Sequence, residues 1–415
     1  MTLSIPKTGL VLTGGGARAA YQVGVLKAIA QLRRECGEAA GPNPFPIISG
    51  TSAGAINAAA LACHADHFER SVRGLCEIWE NFRAEQVYRA DSFGVIRTGA
   101  RWLTMLSIGW AIARWRRARP RSLLDNAPLE ELLTRMISAT RMRRMMVEGH
   151  LQALAVSASS YGSGLHVTFY DSVHHVEPWA RSQRTAVPSA INVQHLMASS
   201  AIPFVFPAVA LEIERHTEYC GDGSMRQSAP ISPAVHLGAD RVLVIGAGRM
   251  QEPPGVRAGS GEYPNLAQIA GHALANIFLD ALAVDVERLQ RINTTLSLLP
   301  ERSRDATGLK PIEVPVIAPS QRLDDIATLH LKELPLPVRA MLRGVGVQGK
   351  GADARGGALA SYILFEAPYT RALVELGVAD TLRRRDDVLS FFGWIDARQK
   401  NAVTPIVEAR RAAMR

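Results

Sequence analysis

The stretch GTSAG, residues 50–54, has the G-x-S-x-G spacing of an activated serine. It follows the short apolar run PIIS and precedes AGAINAAALACHA, a small-residue helix former. Strand, turn and helix in that order are what a nucleophile elbow requires. Gly50 and Gly54 leave room for a sharp turn that holds Ser52 strained at a helix start, where the dipole favours negative charge. An ordinary N-capping serine is the simpler alternative, and the flanking elements favour the nucleophile.

A second chemical element lies upstream. TGGGARAAYQVGVL, residues 13–26, sets three glycines between an apolar run and a helical one. Glycines at that place permit a tight turn with exposed N–H groups. Gly14, Gly16 and Ala19 satisfy the spacing of a dinucleotide fingerprint. That fingerprint also needs an acidic residue about 20 positions on, at the end of a second strand. Glu35 and Glu38 instead border a Pro/Gly loop with no strand before them. A phosphate loop would need G-K-S/T, which is missing. The remaining chemical use is an oxyanion hole. The N–H groups of Gly14, Gly15 and Gly16 would face the oxygen of a tetrahedral intermediate on Ser52, each worth roughly 3–4 kcal/mol. A turn that merely packs helix on strand is the bland alternative.

Ser52 needs a base. An α/β-hydrolase would supply Asp and then His later in the chain, and would place its nucleophile after several more strands. His236, His272 and His330 sit in no recognisable strand-end loop and read as surface or core residues. Asp222, in YCGDGSMR (219–226), is the better candidate. It sits in a glycine-flanked turn after the strand AVALEI. Taken alone, it reads as an Asx-turn residue.

Four blocks taken in order, GGGARAAYQVGVL, GTSAGAINA, ASSAIPFVFPAV (198–209) and GDGSMRQSAPISPAVHLGADRVLVI (221–245), resemble the patatin-like phospholipase family. The resemblance covers about residues 8–245 and implies a serine lipid acyl hydrolase with a Ser–Asp dyad and no histidine. Ser52 would be the nucleophile, Asp222 its base, and Gly14, Gly15 and Gly16 the oxyanion hole. Arg18, Gly50, Gly54 and Gly223 would support them. Arg18 matches a basic position of the family and would fix the loop or meet a phosphate. Ala19 stands where the family usually has Gly, and Ser224 where it has Gly or Ala. Neither change removes a catalytic group. Phospholipids or other acyl lipids are the implied substrates, with no metal and no organic cofactor. Transacylation to a lipid alcohol on the same site, or a non-catalytic membrane scaffold that keeps the fold, are the alternatives.

The elements that must position these residues are legible as a pattern. Strand–turn–helix occurs twice within about 60 residues, the mark of a layered α/β fold with a parallel sheet. The expected fold is a patatin-like three-layer sandwich, a mostly parallel sheet flanked by helices, with a largely helical C-terminal extension. Strands are expected at 9–13, PIIS, 151–159, 164–170, 208–213 and 240–248. The catalytic domain would span 8–245. An extension over 246–415 would follow a Pro/Gly-rich boundary, add strands at TTLSLLP and IEVPVIAPS to the same sheet, and end in helices.

Bulk properties agree. The 415 residues are 47% hydrophobic and 20% charged, enough for a sizeable core. Four cysteines with no C-x-x-C pair or zinc-ligand spacing fit buried thiols in a reducing compartment. Neither a signal peptide nor a run of about 18–20 apolar residues is visible, so the expected location is cytoplasmic, with peripheral contact at the inner membrane surface. The net charge of +9 suits anionic partners. RWLTMLSIGWAIARWRRARPR (101–121) carries Trp102, Trp110 and Trp115 beside an arginine cluster, the composition of an interfacial helix or of a cap over the site. Nucleic-acid binding is disfavoured, because no helix-turn-helix, zinc-finger or RRM signature accompanies the arginines. Oligomeric state is not legible.

Overall fold

Alternate residues of the central strands face two different helical layers. Leu10, Leu12, Ile48, Leu154 and Val156 belong to one buried cluster. Val11, Ile47, Ala153 and Ala155 belong to another on the opposite face. Strands covered on both faces read as nearly continuous apolar runs, as GLVL and RVLVI do. The computed structural model describes residues 6–89, 122–250, 263–277, 281–347 and 356–394. Trp102, Trp110 and Trp115, with the whole of 101–121, lie outside the described residues.

The strands are β1 (Thr8–Leu12), β2 (Ile47–Thr51), β3 (Ala153–Ser160), β4 (His166–Ser172), β5 (Ala180–Arg181), β6 (Arg184–Pro188), β7 (Val209–Ile213), β8 (His216–Asp222), β9 (Arg241–Ile245) and β10 (Val316–Ile317). They form one sheet in the order β10-β9-β1-β2-β3-β4-β6-β5, and β8 pairs with both β3 and β7. From β10 to β3 every pairing is parallel. The fold is therefore α/β, with a mostly parallel central sheet between helices.

One layer is built on α1 (Ala20–Glu35), α2 (Ala53–Cys63) and α3 (Phe68–Trp79). Next come α4 (Ala127–Met136), α5 (Ala139–Val147), α6 (Val193–Ser199) and α7 (Ser232–His236). The segment after β9 adds α8 (Leu266–Ala275), α9 (Ala281–Leu298), α10 (Glu301–Ala306), α11 (Leu323–Leu329), α12 (Leu336–Gly344), α13 (Gly357–Ile363), α14 (Ala367–Arg383) and α15 (Arg385–Phe392). α7 and α9 cover the second face through Ala234, Leu282 and Val286.

Two expectations change. TTLSLLP is not a strand, because residues 294–298 end α9 and only Val316–Ile317 extends the sheet beside β9. Asp222 is not in a free turn. It ends β8, a strand absent from the expected set.

The late helices pack onto the early ones. α1 is buried almost all round because α14 lies along its outer side. The two backbones touch through glycine: a Cβ on Gly24 would lie 2.0 Å from Val374 O, and one on Gly377 2.3 Å from Tyr21 O. Beside them Tyr21 Oη donates to Asp380 at 3.0 Å, and Asp380 accepts from Ser320 N at 2.9 Å.

A pair of helix glycines tests this contact with opposite signs. Gly24→Ala should cost about 1–3 kcal/mol by overpacking against Val374. Gly74→Ala on α3, where nothing lies within 4 Å of the added methyl, should stabilise by about 0.5–1 kcal/mol. Denaturant melts of the two variants read the difference.

Candidate active site

Ser52 stands where β2 becomes α2, with φ 56° and ψ −133°. Such a conformation costs a non-glycine residue on the order of 1–3 kcal/mol and persists only when its surroundings over-determine it. Here they do. A Cβ on Gly50 would lie 2.5 Å from Gly54 O, and one on Gly54 2.3 Å from Leu12 O. Side chains at either glycine would force the turn open. Ser52 N–H donates to Ser199 Oγ at 2.8 Å, and the Ser199 hydroxyl donates to Ser157 O at 2.6 Å. α6 thus locks the elbow to β3.

Asp222 arrives from the opposite direction. β2 pairs with β3 up to Thr51↔Ser157, and β8 pairs with β3 from Asp222↔Ala158 onward. β4 occupies the other edge of β3 over the same residues. So β2 and β8 share one edge of β3, and their carboxyl ends meet head to head. That register brings Ser52 and Asp222 together across 170 residues of sequence. Gly223 is required at the junction, since its Cβ would sit 2.2 Å from Ser157 O.

The Asp222 carboxyl is fully buried. Burial pushes its pKa up to about 6, while hydrogen bonding from Ser52 and from Ser224 pulls the other way. Ser224 N–H donates to Asp222 Oδ1 at 2.9 Å. Ser52 Oγ and Asp222 Oδ2, although close enough for that influence, meet no partner in full hydrogen-bond geometry. No histidine hydrogen-bonds either residue among the described residues. His236 stacks on Trp179 with ring centroids 4.5 Å apart.

The glycine loop leaves β1 beside the elbow. Gly14, Gly15 and Gly16 N–H groups meet no acceptor among the described residues. Gly16 has φ +54°, and a Cβ there would lie 2.3 Å from Tyr362 O. Gln22 Nε2 holds Thr13 O at 2.7 Å, and Asn57 Nδ2 holds Gln22 Oε1 at 3.1 Å. Trp79 Nε1 completes this buried chain on Asn57 Oδ1 at 2.9 Å. Ala19 has φ −65°, so the methyl is accommodated without strain.

Arg18 is committed to partners within the fold. Its side chain is buried, with Nε donating to Ser361 Oγ at 2.8 Å. The guanidinium pairs with Asp324 and lies 3.9 Å over the Tyr362 ring. α11 and α13, far along the chain, thereby clamp the glycine turn. An apolar pocket opens onto Ser52, lined by Ile56, Leu75, Leu133, Met136, Ile202 and Phe206 among others. Sequence reasoning missed Ser199, Asp324 and Ser361. Ser199 lies inside the block ASSAIPFVFPAV, and nothing in sequence distinguishes it from Ser200.

A serine elbow at the carboxyl end of a parallel strand, met by a buried carboxylate from an antiparallel one beside an apolar pocket, marks a layered α/β protein with a cleft at Ser52. The patatin-like phospholipase family model matches residues 10–235, more than half of the chain, and the chain belongs to that family. Membership supports a lipid hydrolase. Among solved structures, VipD from Legionella pneumophila is similar over 89% of this chain and 67% of its own, at 14% identity and a TM-score of 0.28. ExoU from the type III secretion system of Pseudomonas aeruginosa, solved with SpcU, is similar over 89% and 70%, at 16% identity and a TM-score of 0.25. At these scores the overlays are loose, and the assignment rests on the family match. No curated protein matches the chain. No described helix is long and apolar enough to cross a membrane.

Burying Asp222 has a signed consequence for stability. Below the unfolded carboxyl pKa, near 3.8, both states are protonated and the group contributes nothing. Above about 6 both are ionised and the fold bears the full cost, on the order of 3 kcal/mol. Asp222→Asn should therefore stabilise the chain at pH 8, and the gain should vanish as pH falls to about 4. Paired melts of wild type and variant across that range check the sign.

Proposed function

We propose that the chain is a serine hydrolase of fatty acyl esters of phospholipids or related lipids, working through a Ser52–Asp222 dyad. The observation that carries this reading is the strained, buried Ser52 facing a buried carboxylate at the end of an apolar pocket. An acyl chain lies along the Ile56, Leu133 and Phe206 walls with its ester carbonyl at Ser52. Ser52 Oγ bonds to the carbonyl carbon while its proton passes to Asp222. The carbonyl oxygen becomes an oxyanion and takes hydrogen bonds from Gly14, Gly15 and Gly16. Collapse breaks the ester bond, and the departing alkoxide takes the proton from Asp222. Water then adds to the acyl carbon, losing a proton to Asp222, and collapse of this second tetrahedral intermediate breaks the bond to Ser52 Oγ, which takes that proton back from Asp222 as the fatty acid leaves.

On this reading residues 8–245 carry the reacting groups. The segment from 246 contributes the Arg18 clamp through Asp324 and Ser361. A basic chain at net +9 is suited to an anionic lipid surface. The same acyl-enzyme could pass its acyl group to a lipid alcohol, and product analysis with and without acceptor alcohol separates the two.

Labelling by a fluorescent fluorophosphonate tests the dyad. Wild type should label, Ser52→Ala should not, and Asp222→Asn should label at least about 100-fold more slowly, in line with the loss of a general base. Equal labelling of all three, or none in wild type, would leave a scaffold that keeps the fold. Ester turnover should fall as pH drops through about 6, because Asp222 must be ionised to accept the serine proton. Truncating the clamp in Asp324→Ala should cost about 1–3 kcal/mol, since the buried Arg18 would lose its carboxylate and keep Ser361 and the Tyr362 ring, and should slow labelling.

A further inference from the structure

Five non-glycine residues have positive φ among the described residues: Ser52, Gln183, Phe204, Glu214 and Arg215. Gln183 lies in the β5–β6 hairpin turn, and Glu214 and Arg215 in the β7–β8 turn. Hairpin turns of that kind use left-handed residues as a matter of geometry. Ser52 is the elbow. Phe204, at φ 66°, belongs to neither class.

Phe204 is the third residue of a tight turn, Ile202-Pro203-Phe204-Val205, closed by Val205 N–H to Ile202 O at 3.1 Å. Proline at the second position and a left-handed third residue match a type II turn, whose third position calls for glycine or asparagine. A bulky aromatic there is an outlier. The turn is nevertheless held. Leu123 N–H donates to Phe204 O at 2.8 Å, and Leu124 N–H to Val205 O at 2.9 Å. The ring gains little from the protein in return, since Phe204 is 75% exposed.

The neighbours give this position meaning. Ile202 and Phe206, either side of the ring, line the apolar pocket that ends at Ser52. Ala201 O, one residue before the turn, accepts from Asp222 N at 3.0 Å. A strained turn thus presents one aromatic ring to solvent on the loop that both walls the pocket and braces the proposed base. Backbone strain kept without a packing reward points to a role outside the folded chain.

We infer that Phe204 is a wedge that inserts into the surface of a phospholipid bilayer and brings the pocket to its substrate. This rests on the lipid hydrolase reading for its purpose, but not for its measurement. The ring is apolar, and the residues two before and two after it, Ile202 and Phe206, line an apolar pocket, so a lipid surface is the partner that suits both. The basic chain adds attraction to anionic headgroups.

Vesicle partition tests it in a Ser52→Ala background, where hydrolysis does not disturb the lipid. With mixed phosphatidylcholine–phosphatidylglycerol vesicles, Phe204→Asn should weaken sedimentation with lipid by about tenfold, and Phe204→Trp should keep it. Phe204→Asn should also melt no lower than its parent, because asparagine tolerates the left-handed turn. Unchanged partition in Phe204→Asn would overturn the inference. A fall of several degrees in its melting temperature would also overturn it, by showing that the ring packs inside the fold. Fluorophosphonate labelling of Ser52 in the chain with its serine intact reads the dyad separately, so the failure of one proposal is distinguishable from the failure of the other.

Discussion

The edge of β3 is the constraint on which the site depends. β3 offers eight residues, and β2 pairs with only the first five of them. The last three take β8, running the other way. One edge therefore receives two strands whose carboxyl ends collide. The collision is resolved by the turn at Ser52 and by Gly223, where no side chain fits. The strain at Ser52 and the burial of Asp222 are two consequences of one handover between strands. Because hydrogen-bond register fixes strand ends firmly, the pair is positioned by backbone pairing and not by flexible side chains.

The arrangement concentrates unfavourable features in a small volume. A left-handed serine and a buried carboxylate each oppose folding. Something must hold them. The chain after β9 does much of this by covering α1 with α14 and by clamping Arg18 between α11 and α13. Ser199 does the rest from within, bridging the elbow to β3. The late helices are therefore part of the support of the glycine loop, although no proposed reacting group lies on them.

Local features of this design were legible in sequence, and long-range ones were not. GTSAG and TGGGAR announce themselves because glycine requirements and strand–turn–helix order are local. β8 escaped notice because HTEYCGD is half exposed and carries its apolar residues only near its end. TTLSLLP reads as a strand by its threonines and leucines, yet it closes a long helix that Asn293 ties to Ile312. The Arg18 clamp joins residues more than 300 positions apart. No window of sequence contains that contact. Asp222 could be found by its glycine neighbours and the family pattern, but its elevated pKa follows from burial, which only the fold supplies.

A dyad with a carboxylate base would move charge differently from one with histidine. A neutral histidine that takes the serine proton becomes a cation beside a new oxyanion, so an ion pair forms. A carboxylate that does so becomes neutral, and the negative charge is relocated to the oxyanion. The site would hold a single negative charge from start to finish. Catalysis then requires that donors favour the destination over the origin. The proposed dyad would have that asymmetry. Asp222 accepts one backbone N–H, from Ser224, and keeps a pKa of about 6. Two or three such donors would hold a carboxylate far lower and weaken it as a base. The three glycine N–H groups meet no acceptor among the described residues. On the proposed reading, burial would do for Asp222 what the imidazole ring does by its nature, setting a proton affinity near neutrality, and the glycine loop would supply the destination for the charge.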